Sequence, residues 1–476
     1  MKLLAKAILL VEPVLLAVVV IVYWFAELTQ INSSLLIIPL VLLIPPAFAR
    51  LVVYKRLWVF TPVNICFYLF LALCTIDTYF ALSHPFTPPY SWGWYILGRL
   101  FMGVILALSI TSIAYERGQI DGPLIVLTDD TRDPKAVHLQ LNGPLMLILA
   151  LAVLVGVLGL GGAQYIDKSS IFQPLIERIP PILNFPGAIG GFNSNEIGGA
   201  MTFFVPLTLG IALYDWRSRS HRLRALVATV AFLLLALALT LGQSRLAIIG
   251  AVVASAIVIW LVVPHSVWRY VALALLLLYC AFEIGVVLGV FEHVASGGAS
   301  GAPGLSDRDT GELAQRPEIW SAALTLIKQY PLTGYGLNEF RRSEVRNEYV
   351  PDFAMVIVPH AHNELLQVGV DVGIPGMILY VIWNIVLIYM IWRTWRVGTP
   401  LLKAVAVCAG AAILAHAVFG LADAITMYDR FGFLYWLFAG LVGGAYALAC
   451  LQPAAKTDLA IYRETDIKQT VNSQTA

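Results

Sequence analysis

Apolar residues run in blocks of about 20 along almost the whole chain, with polar residues gathered in the gaps between them. A helix of about 20 apolar residues is what crosses the hydrocarbon of a bilayer. The pattern predicts about twelve spans, near 7–25, 35–54, 58–76, 92–115, 143–162, 197–214, 225–241, 246–263, 268–290, 364–392, 401–421 and 431–450. The expected fold class is all-α integral membrane, with 1–452 one polytopic membrane domain and 453–476 a polar cytoplasmic tail. Lys2 and Lys6 precede the first block as in a signal peptide. The run reaches Phe25 without a small-residue cleavage site, so it reads as a retained first helix.

Lysine and arginine in the connections set orientation. Gaps 26–34 and 77–91 contain neither. The alternate gaps hold Arg50, Lys55 and Arg56, then Arg217, Arg219, Arg222 and Arg224, then Arg269, and finally Arg393, Arg396 and Lys403. Lys168 and Arg178 run against this alternation. Both termini are therefore expected in the cytoplasm. Three connections exceed what linkage needs, and long loops on a rigid scaffold are where function concentrates. Residues 116–142, cytoplasmic, contain Gly122-Pro123 and two short alternating runs around Asp129 to Asp133 that predict a small hairpin. Residues 163–196, outside, include a stretch from Leu175 to Ile179 suited to lying flat on the membrane. Residues 291–363, also outside, open with a Gly- and Ser-rich stretch from Ser296 to Gly304. A helical pattern from Glu318 to Lys328 and a Gly-rich turn from Pro331 to Gly336 follow.

Composition narrows the class further. The chain is 59% hydrophobic and 12% charged, with mean hydropathy +0.81, whereas soluble domains are about 25% charged. A net charge of +1 gives no field steering the chain toward nucleic acid, so no nucleic-acid partner is expected; membrane lipids are. Cys66, Cys74, Cys280, Cys408 and Cys450 are scattered in apolar segments, which argues against a disulfide framework or a zinc site.

Against this apolar background a few polar residues stand out. In Gln243-Ser244-Arg245 two spans meet in a tight outer hairpin, with Ser244 placed to cap the second helix and Arg245 in its first turn. A cation there opposes the helix dipole. A neighbouring anion would offset that cost; headgroups or Glu312 are the bland partners, a ligand the functional one. Pro359-His360-Ala361-His362-Asn363-Glu364 joins the largest loop to the tenth span. Asn363 suits the cap of a helix starting at Glu364. His362 then lies beside the positive helix end, which favours a neutral, proton-accepting imidazole and welcomes phosphate oxygens. His360 could share or replace that role. Two histidines spaced by two suggest metal ligands only weakly, since no third ligand is evident. Arg316 precedes Pro317, which marks a helix start, and its planar fork matches phosphate. Arg308, in Asp307-Arg308-Asp309, is a weaker rival. Asn193 and Asn195 open the sixth span, and Asn195 suits its cap.

Taken in order, these strings resemble the O-antigen ligases and O-antigen polymerases. The matching pieces are Asn193-x-Asn195-Glu196, Gln243-Ser244-Arg245, Arg316 with Trp320, Pro331 to Gly336, and His362-Asn363 followed by Asp371-x-Gly373-x-x-Gly376. The resemblance covers roughly 190–395. It implies a GT-C-like glycosyltransferase of the bacterial inner membrane with an extracytoplasmic active site. The implied donor is an undecaprenyl-diphosphate-linked glycan and the implied acceptor a glycan or lipid A core. It further implies no cofactor, no metal, and inversion at the anomeric carbon. Carried across, Arg245 and Arg316 bind diphosphate and His362 is the base, with His360, Asn363, Asn195 and Ser244 in support.

A ligase, a polymerase and a protein O-oligosaccharyltransferase share this donor site, and one long outer loop carrying Arg316 and His362 favours the ligase arrangement. A flippase or transporter is the alternative of another class. Its candidate coupling acids are few, chiefly Asp77 and Glu283, and neither internal repeats nor paired broken helices are evident. A structural scaffold would leave the polar residues at the outer helix ends unexplained.

Overall fold

The computed structural model describes residues 1–28, 37–84, 92–120, 134–165, 171–179, 191–217, 221–288, 290, 307–342, 345, 348–349 and 360–451. The predicted hairpin around 129–133, the Gly-rich stretch 296–304 and the tail 453–476 lie outside these residues. The helices are α1 (Lys2–Leu28), α2 (Ile37–Tyr54), α3 (Pro62–Ala81), α4 (Trp92–Ile120), α5 (Pro134–Gly162), α6 (Gln173–Ile176), α7 (Ser194–Asp215), α8 (Arg222–Gly242), α9 (Arg245–Val262) and α10 (Val267–Val287). They continue with α11 (Asp307–Gln329), α12 (Glu364–Val397), α13 (Pro400–Phe419) and α14 (Leu434–Tyr446). Among the described residues, eleven helices are long and apolar enough to span a membrane, and α2 adds a shorter apolar stretch, Val41–Tyr54. The protein is an all-α membrane protein, with one two-residue parallel bridge pairing Ala163 with Phe192 and Gln164 with Asn193.

The bundle centres on α7, which packs against α5, α8, α9 and α13, while α4 packs along α14 and α3 along α12. Aromatic rings fill the layer between α3, α12 and α14: Trp383 lies 5.6 Å from Phe67 and 4.8 Å from Phe70, and donates its indole N–H to Tyr435 at 2.8 Å. Small residues bring backbones together elsewhere, as membrane helices require when no hydrophobic force drives them to associate. A Cβ on Gly250 of α9 would sit 2.4 Å from the Ala415 carbonyl of α13. Helix α10 lies at the edge, with only 11% of its apolar window buried.

Several buried charges in this core are paired across helices. Arg50 of α2, wholly buried, donates to both carboxylate oxygens of Glu12 on α1 and, at 2.8 Å, to Glu116 on α4. Arg56 reaches the other Glu116 oxygen at 3.3 Å. Asp215 and Arg224 pair across the turn from α7 to α8. Each removes the large penalty of an isolated charge in a low dielectric.

Helices α11 and α12 depart from the pattern the sequence predicts. Helix α11 begins at Asp307 and runs through Pro317, so Arg316 lies within the helix rather than at its foot. Proline forfeits one backbone donor, which kinks a helix without obliging it to start there. The tenth span, expected as one continuous helix, is broken at Gly373, whose φ of 72° and ψ of −171° fall in a region essentially reserved for glycine. The break is where the 331–336 turn docks: Ile374 donates its N–H to Pro331 O at 2.8 Å and Tyr335 its N–H to Val370 O at 2.6 Å. A Cβ on Gly334 would come within 2.6 Å of the Asp371 backbone, and one on Gly373 within 2.8 Å of Pro331 O. Two glycines face each other because neither backbone could approach past a side chain.

Candidate functional site

Helices α7, α9, α12 and α14 begin, and α8 and α13 end, at one end of the bundle. The polar strings picked out from the sequence collect there. Asn363 caps α12 as expected, accepting the Leu366 N–H at 3.0 Å. Its amide also donates to Leu421 O at 2.8 Å, and Glu364 N–H donates to Gly420 O at 2.8 Å. The start of α12 is thereby stitched to the end of α13.

This stitching brings in the 420–433 segment. His362, held at φ 48° just before the cap, has Nδ1 3.2 Å from Asp423 Oδ1. A carboxylate selects the tautomer that carries the proton on Nδ1, leaving the lone pair on Nε2. His360 Nε2 lies 3.6 Å from the same oxygen, and Ala424 N–H donates to it at 2.9 Å. His360 Nδ1 in turn accepts the His362 backbone N–H at 3.2 Å, which assigns the His360 proton to Nε2 and aims it at Asp423. Trp320 of α11 donates to His362 O at 3.3 Å, so the helix carrying Arg316 is docked on the same turn.

Electrostatics follow from this fan. Burial pushes the Asp423 carboxyl up, but the hydrogen bond from His362 and the fields of both imidazoles hold it below its ordinary value. Burial, reinforced by His362, drives His360 down to about 4 despite the acids nearby, so it is neutral at physiological pH. Asp429, six residues beyond Asp423, is also held low: burial opposes ionisation, and Arg341, 3.3 Å away, more than offsets it. Arg430 bonds Glu196 at the start of α7 at 2.8 Å and lies over Phe192 at 5.4 Å, closing the segment onto the α7 end.

The remaining expected residues fall into place with some corrections. Arg245 opens α9 and is half-buried, as is Arg316. Ser244 stands at the α9 N-cap, but its buried side chain makes no cap bond; the turn is made by Gln243 in the left-handed region at φ 49°. Asn195 does not cap α7. That helix starts at Ser194, two residues earlier than an Asn195 cap would place it, and Asn193 caps it by accepting the Asn195 N–H at 2.8 Å. The side chains of Asp307, Arg308 and Asp309 lie outside the described residues.

Sequence reasoning missed Asp423, Asp429 and Arg430. The available signal was three charges within the short gap between the last two spans of a charge-poor chain. It also found no third ligand beside the two histidines. Asp423 supplies one: His360, His362 and Asp423 offer ligand atoms within 4.8 Å of one another. A metal would need the lone pair of His360 Nε2, the atom to which the His362 N–H bond assigns a proton.

Fold and site together define a multi-pass helical membrane protein that presents a histidine–aspartate pair, with arginines nearby, at one end of its bundle. Residues 230–381 match the O-antigen ligase family, which bears out the resemblance read from the sequence strings. The stretch includes Arg245, Arg316, His360, His362 and Asn363, while Asp423 and Asn195 lie outside it. The match supports a glycosyltransferase-type enzyme with a glycan-transfer role in polysaccharide assembly. No curated protein matches the chain.

Proposed function

We propose that this protein transfers a glycan from undecaprenyl diphosphate to an acceptor hydroxyl at the extracytoplasmic face of the inner membrane, in the manner of an O-antigen ligase with lipid A core as acceptor. The observation that carries the reading is the His362–Asp423 pair on the turn where the helix bearing Arg316 docks. His362 Nε2 takes the proton of the acceptor hydroxyl as its oxygen forms a bond to the anomeric carbon. The bond from that carbon to the diphosphate breaks on the opposite face, and undecaprenyl diphosphate leaves with the electron pair, inverting the centre. Asp423 stabilises the imidazolium that forms, in the manner of the aspartate of a serine-protease triad. Arg245 and Arg316 neutralise the charge growing on the leaving diphosphate, the electrostatic role a metal plays elsewhere.

The test is carrier release by purified protein in lipid, given an undecaprenyl-diphosphate-linked glycan and candidate acceptors without added metal. Wild type should release carrier and form product, and His362→Ala should not. The acceptor found in the product separates ligase from polymerase. Donor binding without turnover on any acceptor would favour a flippase and overturn the reading.

A further inference from the structure

Asp371, one turn beyond Gln367 on α12 and only 3% exposed, has no part in the chemistry above. Its carboxylate nonetheless gathers bonds from three separate segments. Oδ1 accepts the Asn338 backbone N–H at 3.1 Å and the Gln367 side-chain amide at 2.9 Å; Oδ2 accepts the Tyr428 hydroxyl at 2.7 Å. Gln367 passes the link on, its Oε1 accepting the Ala361 N–H at 2.8 Å between the two histidines. Tyr428 precedes Asp429 in the segment that carries Asp423. One buried carboxylate thus ties the histidine turn, the aspartate segment and the 331–342 loop to the outer piece of α12.

We propose that Asp371 is the positioning residue of the site: through Gln367 and Tyr428 it sets the histidine turn in register with the Asp423 segment, so that the His362 imidazole is aimed. The inference rests on His362 being the base. It accounts for two features that chain connectivity alone leaves open. The turn holds His362 in a left-handed conformation, and the Ala361 amide beside it is buried and needs an acceptor. The Gln367 amide spends its donor on Asp371, which orients its oxygen toward Ala361. An apolar residue at 371, which offers no acceptor, removes the reason for that orientation.

The experiment compares wild type, Asp371→Leu, Gln367→Met, the double variant and His362→Ala as full-length protein in lipid. Transfer from an undecaprenyl-diphosphate-linked oligosaccharide and binding of that donor are measured separately. Misplacing a catalytic group by about 1 Å costs roughly a hundredfold in rate. Asp371→Leu and Gln367→Met should each lose on the order of that factor in kcat with donor affinity within about twofold of wild type. The double variant should lose no more than the worse single, because both cut one chain of bonds. Equal kcat to wild type in Gln367→Met, or losses that multiply in the double variant, would overturn the positioning role. Should Asp371→Leu fail to fold, Gln367→Met alone decides, since it leaves the Asn338 and Tyr428 bonds in place. If His362→Ala keeps wild-type transfer, the reading of the reaction has failed instead. If His362→Ala is inactive while both other variants keep wild-type kcat, only the present inference has.

Discussion

His362 and Asp423 lie 61 positions apart in the chain and meet at 3.2 Å because the start of α12 is hydrogen-bonded to the end of α13. The pair differs from a surface ion pair in that Asp423 is buried and its second imidazole, His360, also points at it. The carboxylate therefore has a defined ionisation state and a defined direction, which a base needs from its partner.

Replacing Asp423 by Asn should reverse the tautomer preference, since an amide can donate to Nδ1 and leave the proton on Nε2. Transfer should fall by a factor on the order of 10²–10⁴, the range that general-base catalysis supplies. Asp429→Asn, which loses its pairing with Arg341 instead, should cost far less. Single-turnover transfer rates of the two variants make the comparison.

Arg245→Ala and Arg316→Ala should each reduce carrier release by about 10²–10³, the usual effect of removing one group that stabilises developing charge. Lysine should restore little at either position, because a point charge lacks the planar fork. Release of radiolabelled undecaprenyl diphosphate measures it.

Gly373→Ala should destabilise the protein by about 1–3 kcal/mol from backbone strain alone. Collision of the new Cβ with Pro331 O and Gly334 N, both at 2.8 Å, adds to this. A lowered midpoint of thermal unfolding in detergent, accompanied by lost transfer as the 331–336 turn lifts off, is the expected result.

Stability should also report on His360. Its folded value of about 4 lies below the ordinary 6.5, so between these the unfolded chain binds a proton that the native protein refuses. The contribution is fully present above about 6.5, declines as pH falls toward about 4, and is flat below. His360→Gln should flatten unfolding midpoints across that window. Asp423 and Asp429, both held below 3.8, shift in the same direction at more acid pH, losing their contribution there.

The membrane spans were legible because their signal is local: about 20 apolar residues need no partner to declare themselves. The α12 cap was legible for the same reason, Asn363 lying three residues from the N–H it satisfies. What stayed hidden depends on distant neighbours. Asp423 looks like a loop acid until α13 packs beside α12, and Asp371 looks like a motif letter until Asn338 and Tyr428 arrive. Asn195 and Asn193 are chemically alike, and only the backbone path, paired to Ala163 and Gln164 through the short bridge, decides which of them caps α7. The break at Gly373 carried a local signal in Pro375 and Gly376, but the reason for it, the 331–336 turn, is some 40 positions upstream.

The buried contact between Glu12 and Arg50 has a consequence for biogenesis. Helix α2 is short, carries Pro45 and Pro46, and contains an arginine that would cost about 2.5–3.5 kcal/mol at the centre of a lone inserting helix. Glu12 poses a like problem for α1. Joined, the two charges cancel before either faces lipid, so α1 and α2 are expected to leave the insertion machinery as a hairpin, with Glu116 of α4 completing the set once it emerges.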